Sequence, residues 1–291
     1  MKNGRRVFAV TCLAFSLFTC ASGRFQETGE EPEPPGSRIR VYSFNIRIFG
    51  AAKMARPGVA AILADIISKA DIAAIQEVRS AGAAPVEKFM ALLPENYACV
   101  LGPREGRSRS KEQFWIIYNT EKLAVLAEET WPDSGDKFER SPLAIYFQTA
   151  DKFDFILMDN HIRPSNAAAE IEALPEAAAY YRGLWQEPDL LVLGDFNADG
   201  LYYDETLLAE VFPEDSWKII ITNDLDTTVA AADNTYDRII ISYSAIEDYT
   251  GNHGVIRFDD LYGLDDYGIT PGDLSDHYPV WAEFFIHRDR D

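Results

Sequence analysis

Cysteine is nearly absent from this chain. Its 291 residues include three, and two of them, Cys12 and Cys20, stand near the N-terminus, which leaves Cys99 alone in the remainder. A lone thiol excludes an internal disulfide there, and the lack of any Cys–His cluster excludes a structural zinc site. Histidine is scarce as well, with four in all. There is no Gly-Xaa-Ser-Xaa-Gly elbow, so serine-hydrolase chemistry has no nucleophile, and no P-loop for a nucleotide. Basic charge is short: 27 Lys and Arg stand against 47 Asp and Glu, for a formal charge of −20. That argues against a uniformly basic nucleic-acid binder and fits a soluble exported protein with cation-binding carboxylate clusters. No apolar run reaches the roughly 20 residues of a membrane span, and no repeat or linker interrupts residues 37–286.

What is present begins with an export pattern. Lys2, Arg5 and Arg6 precede an apolar run from Val7 to Phe18 and then small residues, the layout of a signal peptide over 1–20. Leu17-Phe18-Thr19-Cys20 resembles a lipobox, which would make Cys20 a lipidated N-terminus; cleavage after Ala21 is the rival. Without Lys2, Arg5 and Arg6 the formal charge of −20 becomes −23. Residues 21–37 contain the acidic, proline-rich ETGEEPEPP and read as a disordered linker. A single catalytic domain is expected over 38–287, with a polar tail at 288–291. The chain is expected to be secreted or lipid-anchored on the cell envelope, and monomeric.

Within 38–287, strands dominate. Alternating or short apolar runs predict strands at 40–47, 72–76, 97–101, 113–118, 123–128, 143–149, 153–159, 190–193, 219–222, 238–242 and 278–286. Helical spacing predicts helices at 57–70, 86–93, 167–184 and 204–211. Strands with helices in separate blocks imply an α/β fold: a four-layered sandwich of two packed, mostly antiparallel mixed sheets flanked by helices.

The informative feature is where polar residues fall. Asn45, Glu77, His161, Asp195, Asn197, Asp237, Asp276 and His277 each stand at or beside the end of an apolar strand, where sheets present side chains to a crevice. Singly, each has an ordinary explanation as a turn, a cap or an ion pair. Together they are too many polar groups at the margin of a core to be incidental. Oxygen donors such as Glu77, Asn45 and Asp276 suit Mg²⁺, Mn²⁺ or Ca²⁺ rather than zinc. Two histidines backed by carboxylates suit acid and base roles. His253 and His287, in a Gly-flanked loop and the polar tail, are expected to be solvent-exposed. Arg104, Arg107, Arg109 and Lys111 form a basic patch in an acidic chain.

These residues lie in segments similar to deoxyribonuclease I. RVYSFNIRIFG at 40–50, IQEVR at 75–79, RSRSKEQF at 107–114, GDFNAD at 194–199, DTT at 226–228, YDRII at 236–240, FDDLYGL at 258–264 and SDHYPV at 275–280 occur in its order. The wider endonuclease/exonuclease/phosphatase superfamily shares only the QE, GD-N and SDH cores. The resemblance implies an endonuclease hydrolysing DNA, mostly double-stranded, and leaving 5′-phosphate ends. Glu77 would be the principal metal ligand, with Asn45 and Asp276 beside it, for Mg²⁺ or Mn²⁺. Asp195 and Asn197 would position water and phosphate; His161 would pair with Glu112, and His277 with Asp237. Arg140 would contact phosphate, Arg47, Arg79 and Tyr202 would contact DNA, and Arg107 and Arg109 would lie in a minor-groove loop.

Departures from the family are specific. Ser110 replaces a stacking tyrosine, and Gly200 and Asn234 occupy the positions of a family disulfide. Structural Ca²⁺ is implied at Asp226 and Thr228, although Ala230 and Ala232 replace threonines. A second such loop keeps Asp136 and Phe138, with Ser141 in place of a glutamate. The competing reading is a phosphoinositide phosphatase, or another phosphodiesterase of the superfamily, resembling its toxin subunit.

Overall fold

The computed structural model describes residues 37–107 and 110–289. The expected signal peptide, Cys20, residues 21–36 of the expected linker, Arg109 and residues 290–291 lie outside the described residues. Among the described residues, twelve strands build two six-stranded sheets: β1 Arg38–Phe49, β2 Ile72–Val78, β3 Tyr97–Leu101, β4 Gln113–Asn119, β5 Leu123–Thr130, β6 Leu143–Thr149, β7 Asp154–His161, β8 Leu190–Asp195, β9 Trp217–Ile219, β10 Asp237–Ser242, β11 Tyr249–Val255 and β12 Val280–Phe285. The first sheet has the order β11-β12-β1-β2-β4-β3 and the second β5-β6-β7-β8-β10-β9. Pairing is antiparallel except for β1 with β2 and β7 with β8. The expected four-layered sandwich is what forms.

Burial explains the patterns read from sequence. Strands β8 and β10 are buried along their whole length, so they read as unbroken apolar runs. The edge strand β5 alternates instead, burying Leu123 and exposing alternate residues. Between the sheets lies a core that includes Val41, Ala74, Ile116, Phe155, Leu157, Leu191, Leu193, Ile239 and Ile241. Burying each of the larger side chains is worth roughly 1.5–3 kcal/mol.

Helices close the two outer faces. The helix Pro57–Ile67 starts with proline at its first turn and buries Val59, Leu63, Ile66 and Ile67, the stripe its spacing predicts. Below it, Phe49, Phe89 and Trp115 meet with ring centroids 5.4–5.5 Å apart. The helix Ala167–Trp185 covers the second sheet, burying Ile171, Leu174, Ala177, Ala178 and Tyr181, and ends in a left-handed Gln186.

Three local expectations are corrected. His253 is exposed as expected but sits in β11 rather than a loop, because β12 pairs with that glycine-containing segment. Strand β9 ends at Ile219, while Ile220 and Ile221 leave the ladder and enter the core. The helix expected over 204–211 is a 3₁₀ turn, Glu205–Leu207, followed by one helical turn, Leu208–Val211.

Candidate active site

Both parallel strand pairs end at the same place, and there the ladder breaks. The β1–β2 register shifts between Asn45 and Phe49, and the β2–β4 register shifts between Ile75 and Val78. Bulges of this kind re-aim side chains. The backbone bears it out: Arg47, Ile48 and Glu77 all have positive φ (48°, 50° and 63°), as does Asn197 (48°). Non-glycine residues held there cost about 1–3 kcal/mol each, which the surrounding structure must offset. Four strained residues at one end of the sandwich mark a site.

Asp195, the last residue of β8, is its centre. Its Oδ2 accepts from Asn45 Nδ2 at 2.9 Å and lies 3.5 Å from His161 Nε2 and 3.6 Å from His277 Nε2. Its Oδ1 accepts from the Asn197 amide at 3.0 Å. Register places Asp195 opposite His161 on one side and Asp237 on the other. Two imidazoles therefore face one another across a single carboxylate oxygen.

Each imidazole has its own carboxylate behind it. His277 Nδ1 is 2.8 Å from Asp237 Oδ2, and His161 Nδ1 is 3.4 Å from Glu112 Oε2. Burial pulls the His277 imidazole down, but the carboxylates of Asp237, Asp195 and Asp276 outweigh it and push it up to about 10. Burial likewise opposes ionisation of Glu112. Yet His161, Arg140 and Arg79 together hold its carboxyl down at about 2.

The remaining predicted residues take these places. Asn45 Nδ2 also reaches Glu77 Oε1 at 3.3 Å, and the Ile48 amide donates to Glu77 Oε2 at 3.0 Å. Asp276 is approached by Arg47, whose Nε is 3.5 Å from its Oδ2. Asn197 Nδ2 donates to the carbonyl of Ile162. Arg140 lies under the site, with NH1 2.6 Å from Glu112 Oε1 and Nε donating to the carbonyl of His161. Arg79 spans Glu77 at 2.9 Å and Glu112 at 3.7 Å. Tyr202 is exposed beside Tyr236, which packs against His277.

The donor chemistry fits a hard divalent cation. Glu77, Glu112 and His161 form one group, and Asp195, Asp237 and His277 a second, each offering ligand atoms within 4.8 Å of one another. Asp237 Oδ1 is buried without a hydrogen-bond partner, a costly state that a cation or ordered water relieves.

In both loops expected to hold structural calcium, the candidate oxygens already have hydrogen-bond and arginine partners. Asp226 Oδ1 already accepts from the Thr228 amide and hydroxyl and the Asn234 amide, and its Oδ2 pairs with Arg257 at 3.0 Å. At the other loop, Arg107 donates to the Asp136 carboxylate and to the carbonyls of Asp136 and Phe138 at 2.7–3.0 Å. An arginine supplies the positive charge at both. We expect EGTA in place of 1 mM Ca²⁺ to leave Tm unchanged, since a site filled a hundredfold above its Kd would add about 2.7 kcal/mol. A saturable Ca²⁺-dependent rise in Tm, lost in Asp226→Asn, would contradict this.

Sequence reasoning missed the contact between Gln76 and Asp159. Gln76 Nε2 donates to Asp159 Oδ1 at 2.6 Å, tying β2 to β7 beneath the site. Burial pushes that carboxyl well above its usual range. Gly200 and Asn234 are neighbours: a Cβ on Gly200 would stand 2.7 Å from Asn234 Oδ1. The contact persists without a disulfide, and the Thr235 amide donates to Asp199 Oδ2 at 2.7 Å alongside it. Arg104 is turned inward to the carbonyls of Ser80 and Lys111, so part of the basic patch serves the loop itself.

The sequence pattern of the Endonuclease/Exonuclease/phosphatase family matches residues 42–277. The chain belongs to that family. Among curated family relatives, it is 31% identical to Deoxyribonuclease-1-like 2 of Mus musculus, over 86% of this chain and 92% of that protein. It is also 31% identical to Deoxyribonuclease-1 of Sus scrofa, over 83% and 90%. These place it with the deoxyribonuclease I-like members. A family protein from Bacteroides thetaiotaomicron has the same fold, with a TM-score of 0.60 at 16% identity, covering 87% of this chain and 98% of its own.

Proposed function

We propose that the protein is an exported, divalent-metal-dependent endonuclease that hydrolyses phosphodiester bonds of DNA. The observation that carries this is the pair of imidazoles, His161 and His277, meeting across Asp195 with a carboxylate behind each. Hydrolysis of a diester needs a proton taken from water and another given to the leaving oxygen, and such a pair supplies both. One imidazole accepts the water proton as its oxygen bonds to phosphorus. The other protonates the 3′ oxygen as its bond to phosphorus breaks, leaving a 5′-phosphate and a 3′-hydroxyl.

The other side chains orient and neutralise. Asp195 and Asn197 position the water and phosphate, and Asp237 and Glu112 fix the two rings. Arg140, against Glu112, brings positive charge toward the phosphate. Glu77, Asn45 and Asp276 would hold Mg²⁺ or Mn²⁺, which supplies charge stabilisation at the phosphate oxygens. Arg47, Arg79 and Tyr202 would contact the DNA strand. Arg107 contributes through the loop it braces. Export, with or without a lipid on Cys20, belongs to this reading through the N-terminal sequence pattern, as does a monomeric state.

The test is nicking of supercoiled plasmid, with end-labelling of the products and a parallel phosphoinositide release assay. We expect nicking with 5′-phosphate ends and no release of inorganic phosphate from the lipid headgroup. EDTA should abolish nicking and added Mg²⁺ or Mn²⁺ restore it. Release from the lipid without nicking would transfer the assignment to the phosphatase reading, and full nicking in EDTA would refute the metal assignment.

A further inference from the structure

Lys53 stands in the helical turn Ala51–Met54 that follows β1. An ammonium has three N–H donors, and the Lys53 Nζ points at three main-chain carbonyls: Ile46 at 2.5 Å, Arg47 at 2.7 Å and Leu274 at 2.7 Å. None is left for solvent or substrate. The first two carbonyls belong to the bulge that holds Arg47 and Ile48 at positive φ. The third ends the helical turn Pro271–Leu274, which runs directly into Ser275, Asp276 and His277.

This clamp works beside a second one. Ser275 Oγ donates to the Asn45 carbonyl at 2.6 Å and accepts from the His277 amide at 3.1 Å. Asn45 and Asp276 come from opposite ends of the chain, so something must fix their separation. Ser275 does so through the backbone of β1 itself, and Lys53 does so from the far side of the bulge. The same bulge directs the Ile48 amide onto Glu77 and the Arg47 amide onto Asn45 Oδ1. Loosening it would misplace every oxygen assigned to the cation.

We propose that Lys53 is a positioning residue for metal binding: its ammonium crosslinks the bulge after Asn45 to the segment before Asp276 and so sets the ligand spacing. The assignment rests on the metal reading given above. Its side chain touches neither substrate nor cation, so its loss should raise the metal requirement far more than it alters DNA binding, which it reaches only through the backbone of Arg47.

The experiment compares Lys53→Met, which keeps length and loses the donors, with Lys53→Arg, which keeps charge and donors in another shape. Mn²⁺ binding is measured by calorimetry on intact protein without DNA, and nicking is measured across Mg²⁺ concentrations. Lys53→Met should weaken Mn²⁺ binding and raise the half-maximal Mg²⁺ concentration roughly 10- to 100-fold. At saturating Mg²⁺ its KM for plasmid should stay within about twofold of wild type. Lys53→Arg should fall between the two, and decides the matter if Lys53→Met does not fold. A folded variant with wild-type Mn²⁺ affinity and Mg²⁺ requirement overturns the proposal, as does a change confined to KM for DNA. Wild-type protein that nicks DNA yet binds no Mn²⁺ would instead overturn the metal reading on which it depends.

Discussion

His161→Ala and His277→Ala should each lower the rate of plasmid nicking by at least about 10²-fold, the usual lower worth of a positioned acid or base. The reason lies in how little else can replace them. Among the described residues the other two histidines, His253 and His287, are exposed on the surface, and no cysteine or lysine takes part in the contacts around Asp195. Both rings are nearly buried, so bulk water does not substitute easily. The double variant should be little worse than the worse single one, because two groups that pass protons in one reaction act as a unit. Melting curves must accompany the assay, since each ring also fills space. A single variant that folds and keeps near-wild-type turnover in Mg²⁺ would refute the pair as the acid and base. A multiplicative double variant would show two independent effects and not a joint proton transfer.

Much of this site was legible in the sequence because its residues sit where apolar strand runs end. Glu77 follows the apolar run of β2, His161 ends β7, and Asp195 ends β8. A strand end fixes a side chain's position to within a residue, so these groups had to meet once the sheets packed. The guanidinium contacts were not legible. Arg107 reaches Asp136 across 29 residues, and Arg257 reaches Asp226 across 31. A long side chain can serve several partners at that range, and only the folded loops choose. The same holds for Lys53, whose partners are backbone carbonyls that any sequence would supply. Strand β11 was hidden for a different reason. Tyr249–Val255 contains two glycines and exposes its middle, so it lacks alternation and becomes a strand because β12 offers an edge. Nor were the site's own arginine ion pairs legible. Arg79 and Arg140 are engaged with Glu77 and Glu112, which makes them part of the site's internal balance before any DNA arrives.

Gly194→Ala should lower stability by more than about 4 kcal/mol, a size reserved for backbone or core disruption. Gly194 has φ +139°, a conformation that L side chains rarely adopt. A Cβ built there stands 1.9 Å from the Asn160 carbonyl oxygen and 2.8 Å from its carbon. Those are main-chain atoms of β7, held by the parallel ladder that pairs Asn160 with Gly194, so they cannot swing aside as a side-chain tip would. To admit the methyl, β7 and β8 must part at the point where His161 and Asp195 are aligned. Gly251→Ala is the control, because that residue also has positive φ (89°) yet has nothing within 4 Å of the added Cβ. It should cost only the conformational strain, about 1–3 kcal/mol. Urea denaturation of both variants separates the effects: strain alone would give similar midpoints, whereas the backbone collision predicts a far lower midpoint, or insoluble protein, for Gly194→Ala only. If Gly194→Ala matched Gly251→Ala, the approach of the two strands would be looser than the structure shows. The alignment of His161 with Asp195 would then need another cause.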